Sequence, residues 1–339
     1  MKLNAVGVDI AKRVFQLHWV DTATGESMSV QLKRAKFLEH FANLQPCLVG
    51  MESCGGSQHW ARELIKLGHE VKLMSARMVK AFVIGNKNDA ADARAIWMAV
   101  QHPEVKAVAL KSEEQQAVLA LHRMRQQLVK FRTAQVNNLR GLLTEYGAVM
   151  PKGRRALQRD VSAVLGRLEM RLPALLIETL REQSARLGEV DTQIEQIERR
   201  LSQWHRENAQ CKRIAAIPGV GLLTATAAIA LMGNGKSFKS GREFAAWLGL
   251  VPRHTGTGGK VRLLGISKRG DTYLRTLLIH GARAVVLCSK APPEWLKGML
   301  RRRPKNVVIV ALANKIARTI WALVVHERQY EPGYVARAA

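Results

Sequence analysis

The sequence predicts an α/β domain, then a long helical middle, then a mainly helical C-terminal part with glycine-rich loops. Three observations predict it. β-Branched and aromatic clusters alternate with helical patterns up to residue 74, two runs of three-four apolar spacing fill the centre, and apolar helical stretches separated by basic, glycine-rich segments follow Cys211. The expected boundaries are 1–111, 112–205 and 206–339. A chain of 339 residues that is 47% hydrophobic has material for two or three domains and at least one sizeable core.

The opening AVGVDIAKRVFQLHWVD reads as two strands joined by a tight turn at Ala11-Lys12-Arg13. A third strand is expected near Glu26 to Leu32, a helix from Lys36 to Leu44, a strand CLVGM at 47–51, a helix from His59 to Leu67 and a strand VKLM at 71–74. Strands that come first as a meander and later alternate with helices are the order of an RNase-H-like domain, and a Rossmann variant gives a similar string. From Ser112 the chain is charged and helical. Leu121, Met124, Leu128, Phe131, Gln135, Asn138 and Leu142 form one heptad run, and Leu180, Gln183, Leu187, Val190, Ile194, Ile197, Leu201 and Trp204 a second, the spacing of a coiled-coil seam. The segment YGAVMPKGR at 146–154 breaks the helix, so the two runs either fold back as a hairpin or pair between chains.

Charge narrows the partner. Lys and Arg total 53 against 27 Asp and Glu, a formal net charge of +26 spread along the chain. A polyanion is the natural partner, and binding through phosphates weakens steeply with salt. Charge alone leaves ribosomal-type packing proteins and anionic-membrane binders open. The four cysteines, Cys47, Cys54, Cys211 and Cys288, form no C-x-x-C pair, which argues against a zinc ribbon. The N-terminus carries no secretory pattern, so a reduced, cytoplasmic protein without a membrane span is expected. The uncharged run Ile214 to Met232 has Pro218, Gly219 and Gly221 near its start, and the run Val307 to Val325 is interrupted by Lys315 and Arg318, so both are read as helices of a folded domain.

Three constellations carry chemistry. Asp9 ends the first strand, Glu52 follows CLVGM, and Asp89 and Asp92 are three apart in NDAADARAIW, which puts both on one helix face. Singly, each has an ordinary explanation as a turn residue, an ion-pair partner of Arg62 or a helix cap. Together, in so basic a chain, they suit a Mg²⁺ site, with two ions for in-line phosphodiester displacement. The second is IPGVG at 217–221, read as a helix-hairpin-helix-like element whose Gly219 and Gly221 let backbone N–H groups approach a DNA phosphate, against the plainer reading of a helix-breaking turn. The third runs from Trp247 to Arg275 and gathers Arg253, Lys260, Arg262, Lys268, Arg269 and Arg275 around Gly256, Gly258, Gly259, Gly265 and Gly270, with hydroxyls at Thr255, Thr257 and Ser267. Cations beside flexible backbone can enfold a phosphate, and a hydroxyl there can attack phosphorus. The plain alternative is phosphate binding without covalent chemistry. A further cluster around Arg301, Arg302 and Arg303 reads as a nucleic-acid contact or a solvated face.

VGVDIAK, Glu52, NDAADA, IPGVG and above all GLVPR…GGK…GISKRGD resemble the DEDD transposases of insertion sequences whose recombinases use a bridge or seek RNA, related to the Piv-type invertases. The likeness covers nearly the whole chain. It implies a RuvC-like N-terminal domain, a coiled-coil middle and a C-terminal transposase domain that cuts and rejoins DNA through a covalent hydroxyl link. It further implies that Asp9, Glu52, Asp89 and Asp92 match the metal-binding tetrad, that a noncoding RNA of the element selects donor and target duplexes, and that the protein works as a dimer or tetramer. Alignment back from Gly258-Gly259 places Thr257 on a Ser/Thr position of the family, which makes it the first candidate nucleophile, with Thr255 and Ser267 as alternatives. The competing readings are a metal-dependent, structure-specific nuclease of the Holliday-junction-resolvase kind and a non-catalytic nucleic-acid-binding protein.

Overall fold

The computed structural model describes residues 5–86, 88–257 and 260–332. The chain divides into two compact units, Met1–Ser112 and Glu113–Ala339.

The first unit is built on a five-stranded sheet of order β3-β2-β1-β4-β5. Strands β1 (Ala5–Ile10), β2 (Val14–Val20) and β3 (Ser27–Lys33) form the antiparallel meander, and β4 (Leu48–Glu52) and β5 (Glu70–Met74) continue parallel to β1. The parallel pairings need crossovers, supplied by α1 (Phe37–Ala42) and α2 (Ser57–Lys66). Alternation along β1 assigns the two faces. Val6 and Val8 point into a core with Phe15, Phe37, Phe41 and Trp60, where Phe15 meets Phe37 edge-on at 4.7 Å. Ala5, Gly7 and Asp9 belong to the opposite face, which α3 (Ala76–Val79) and α4 (Asp89–Gln101) cover through Val79, Ala95, Ile96, Ala99 and Val100.

The second unit begins with two long helices, α5 (Glu113–Glu145) and α7 (Ala174–Glu207), with α6 (Arg154–Glu169) packed beside them. The heptad seam expected on α7 is buried at Leu180, Leu187, Val190, Ile194, Ile197 and Leu201. On α5 the buried set is Val118, His122, Gln135, Val136, Leu139 and Leu143, whereas Met124 and Phe131 of the expected seam are 54% exposed. Most of the buried face therefore lies one residue further along. The cause is that α5 meets α7 partly through charge: Arg125 pairs with Glu198 at 2.6 Å, Arg132 with Asp191 at 2.6 Å, and Gln135 donates to Gln183 Oε1 at 3.0 Å.

Helices α8 (Ala209–Ala215), α9 (Leu222–Met232), α10 (Gly241–Trp247), α11 (Thr272–Cys288), α12 (Glu294–Arg302) and α13 (Lys305–Val325) form the largest core. Helix α13 is long and apolar enough to cross a membrane by length and composition. Its Val308, Leu312, Ile316, Ile320 and Val324 are instead part of this core, which is the expected use of an apolar helix in a folded domain. Between α10 and α11 lies a feature not anticipated from the sequence, the antiparallel hairpin β6 (Pro252–Thr257) and β7 (Lys260–Ile266). Buried His122 ties α5 to α9 and α11: Nδ1 lies 3.0 Å from the Tyr273 hydroxyl of α11 and Nε2 3.0 Å from Thr226 Oγ1 of α9. Thr226 Oγ1 donates to Leu222 O, so it accepts from a protonated Nε2.

Candidate active site

Asp9 and Glu52 stand on neighbouring parallel strands. Pairing of Gly7 with Gly50 and of Val8 with Met51 puts Asp9 and Glu52 at the next step of the same register. Two residues earlier on each strand, on the same face, are glycines, and they set the distance to α4. A Cβ on Gly7 would lie 2.3 Å from Ala93 O and 2.4 Å from Trp97 N, and one on Gly50 would lie 2.7 Å from Val100 Cβ. The paired glycines thus form a shallow trough in which α4 lies closer to the sheet than any side chain would permit. With residues 93–100 of α4 over the trough, its first turn, carrying Asp89 and Asp92, reaches the strand ends that carry Asp9 and Glu52. The cap of α4 is Asn88, whose Oδ1 accepts from Ala91 N at 2.8 Å, so Asp89 is not spent as a cap.

The electrostatics record this meeting. The Asp9 carboxyl is pushed up to about 6, first by burial and then by the charges of Asp92, Asp89 and Glu52, while the backbone N–H of Ile10 works against the rise. Burial, followed by Glu52 and Asp9, also raises the nearby Cys54 thiol. Four converging carboxylates destabilise one another unless a cation joins them, and an all-oxygen donor set fits a hard divalent ion. Among the described residues no three acidic, thiol or imidazole groups are already closed round one ion position. The fit therefore rests on the donor chemistry and on the shared field at Asp9. Another pair of ligand-type residues is structural: Cys47 Sγ lies 3.4 Å from His69 Nδ1, but burial pushes the thiol up to about 11, so it stays protonated.

The basic segment is more rigid than its glycine content implied. A Cβ on Gly270 would lie 1.9 Å from Trp247 O and one on Gly249 2.3 Å from Arg269 N, so these glycines serve close packing of the Ser267–Gly270 segment on the end of α10. Arg275 clamps the same junction. It is buried, and its guanidinium donates to Leu248 O at 2.8 Å, Arg269 O at 2.6 Å and Thr272 Oγ1 at 3.0 Å, which corrects its expected place among the phosphate-facing cations. What the clamp holds up are exposed Lys268 and Arg269, with Lys268 in a left-handed turn conformation at φ 54°. Asp271 is engaged as the cap of α11, accepting from Leu274 N at 2.7 Å.

Arg253, Lys260 and Arg262 are exposed on the β6–β7 hairpin. Thr257 ends β6 opposite Lys260 in the register, and Thr255 pairs with Arg262. The Thr257 side chain, with Gly258 and Gly259, lies outside the described residues. Ser267 is half-buried and its hydroxyl has no hydrogen-bond partner among the described residues, while Thr255 is exposed. The IPGVG turn joins α8 to α9. Gly219, at φ 88°, backs onto α11, where its Cβ would meet Gly281 O at 2.9 Å, so close packing of the turn on that helix requires a glycine here. Gly221 is exposed at the start of α9, without a capping side chain. Arg301, Arg302 and Arg303 are exposed at the end of α12.

Residues 6–148 match a DEDD transposase domain of the IS110 type, and residues 211–296 match the transposase IS116/IS110/IS902 family. A probable family 20 transposase of Pseudomonas aeruginosa is 48% identical, with 98% of this chain and 100% of that protein covered. The chain belongs to the IS116/IS110/IS902 transposase family. The transposase for insertion sequence element IS1111A of Coxiella burnetii is 40% identical over 98% of this chain and 92% of its own length. A pilin gene-inverting protein of Moraxella lacunata is 23% identical over 98% of both chains. This transposase is accordingly a DNA recombinase with a mixed α/β N-terminal sheet, and its DEDD domain implies dependence on a divalent metal.

Proposed function

We propose that this transposase is an RNA-guided recombinase that cuts and rejoins donor and target duplexes, with Asp9, Glu52, Asp89 and Asp92 as its metal-binding carboxylates and Thr257 of the C-terminal domain as nucleophile. The observation that carries the reading is the convergence of four carboxylates, three of which raise the fourth, in a chain of net charge +26. The strand order, with an antiparallel meander continued by two parallel strands, supports an RNase-H-like domain. The carboxylates would hold Mg²⁺, as two ions, which when bound supplies neutralising charge to the attacked phosphate. Thr257 Oγ1 gives up its proton to solvent and forms the bond to phosphorus, and the bond from phosphorus to the leaving deoxyribose oxygen breaks. That oxygen takes up a proton, and reversal of the step on a second strand rejoins the DNA. Exposed Lys268, Arg269, Arg253, Lys260 and Arg262 would hold the phosphates.

The RNA guide follows from the resemblance of GLVPR…GGK…GISKRGD to recombinases that use one. Homo-oligomerisation, as a dimer or tetramer, is supported by Met124 and Phe131, apolar and exposed at heptad spacing on the free side of α5. The test is recombination of labelled donor and target duplexes with Mg²⁺ and RNA transcribed from the element. Joined products that vanish in Asp9→Asn and Glu52→Gln are expected. Metal-dependent cutting that leaves only free ends would replace this reading with a structure-specific nuclease, and unchanged activity in both variants would remove the carboxylates from the chemistry.

A further inference from the structure

Between α5 and the start of α6 the second unit has a cavity of about 240 Å³ whose lining includes Arg132, Thr133, Asn137, Arg140, Gly153 and Arg154. Positions 132, 133, 137 and 140 recur at helical spacing, so α5 presents a stripe of two guanidiniums, a hydroxyl and an amide. Arg140 donates through Nη2 to Met150 O at 3.3 Å, while its Nε is buried and has no partner among the described residues. The opposite wall is the first turn of α6, which has neither a capping side chain nor an acidic residue. Gly153 enters it at φ 101°, and a Cβ there would meet nothing within 4 Å. The acid that meets the cluster is Asp191, which takes Arg132 on Oδ1 at 2.6 Å and Arg154 on Oδ2 at 2.5 Å. Burial raises this carboxyl, but hydrogen bonds from Arg132, Arg154 and Gln158 outweigh that and hold it below its ordinary range. Asp191 thus stays charged and orients two guanidiniums, and the cleft retains net positive charge with N–H groups to spare.

We propose that this cleft is a phosphate-binding site that takes a backbone phosphate of a nucleic acid. The Nη groups of Arg140, the remaining N–H groups of Arg132 and Arg154 and the uncapped turn of α6 bind the non-bridging oxygens, and the Asn137 amide supplies a further N–H contact at the exposed rim, where the Thr133 hydroxyl is already spent on Val129 O. The site is built without any of the residues given roles in strand exchange, so it stands whether or not that reading holds. Inorganic phosphate shares the chemistry. A backbone is favoured because Thr133, Asn137 and Gly153 are exposed, which leaves a polymer room to continue on either side.

The test is arginine modification by phenylglyoxal, read by peptide mass spectrometry on the full chain, alone, with inorganic phosphate, and with a DNA duplex or RNA strand at matched phosphate concentration. The expected result is about tenfold slower modification of Arg140 and Arg154 with nucleic acid and no slowing with inorganic phosphate. Equal slowing by inorganic phosphate would overturn the backbone assignment, and no slowing by any probe would overturn the site. In parallel, Arg140→Gln should lower the slope of log affinity against log salt by about one, and Arg140→Lys should restore it. Because Arg140→Gln also removes the Met150 contact, Asn137→Glu provides a second variant, placing a carboxylate at an exposed rim position. A folded Asn137→Glu protein with unchanged slope and affinity would refute the proposal.

Discussion

Replacing Gly7 by alanine tests how the fold assembles the carboxylates. The new Cβ would stand 2.3 Å from Ala93 O, 2.4 Å from Trp97 N and 2.8 Å from Trp97 Cα, all backbone atoms of α4 that no rotamer change can move. Restoring ordinary contact requires α4 to retreat from the sheet by about 1 Å, and overpacking of this kind costs about 1–3 kcal/mol. The same retreat carries Asp89 and Asp92 away from Asp9 and Glu52, and a displacement of that size in a catalytic constellation costs about 100-fold in rate. Gly50→Ala meets the Val100 side chain, at 2.7 Å from Cβ and 2.9 Å from Cγ2, so Val100→Gly, which removes Cβ as well, should rescue it but not Gly7→Ala. The assays are initial recombination rate and urea unfolding of the three single variants and of the Val100 variant combined with each glycine substitution. A Gly7→Ala protein with wild-type rate and stability would refute the argument that the trough sets the position of α4.

Three further outcomes are expected. Burial, then Arg125, lowers His122 to about 4 from 6.5, so the unfolded chain binds a proton below pH 6.5 that the folded chain refuses until about pH 4; this contribution is intact above pH 6.5 and lost on acidification, by about 2 kcal/mol at pH 5, and urea unfolding of wild type against His122→Gln should show it. Asp9→Asn removes a carboxyl held near 6 by burial and three acidic neighbours, so calorimetry should give it a higher thermal midpoint than wild type at pH 8, a difference that shrinks as pH falls through 6 and Asp9 is protonated in the folded state. Arg275→Ala leaves Leu248 O and Arg269 O without their donor and should destabilise by about 3 kcal/mol while weakening DNA binding through the displaced Lys268 and Arg269, measurable by urea unfolding and fluorescence anisotropy.

The sheet was legible because VGVDI, FQLHWV and CLVGM carry β-branched and aromatic residues between short turn signals, and the placing of Asp89 and Asp92 together because they are three apart at a helix start. The seam of α7 was legible for the same reason, since its apolar positions have one consistent phase. That of α5 was not. Its packed face includes half-buried Arg125 and Arg132, whose partners Glu198 and Asp191 lie 73 and 59 residues away, and hydrophobic periodicity does not register an ion pair formed at long range. The glycines of the basic segment were read as freedom, whereas Gly249 and Gly270 are there because backbone passes within contact of them. The trough of Gly7 and Gly50 was likewise invisible before the register was known. The β6–β7 hairpin did leave a signal, a Gly-Gly dipeptide between Thr257 and Lys260 with β-prone residues on both sides.

The most direct test of the account is a denaturing-gel search for a covalent protein–DNA adduct, with the protein co-expressed with its flanking element sequence and supplied with Mg²⁺. The account predicts an adduct that disappears in both Thr257→Ala and Asp9→Asn. An adduct that survives Thr257→Ala, or strand joining with no adduct at any time point, would contradict it.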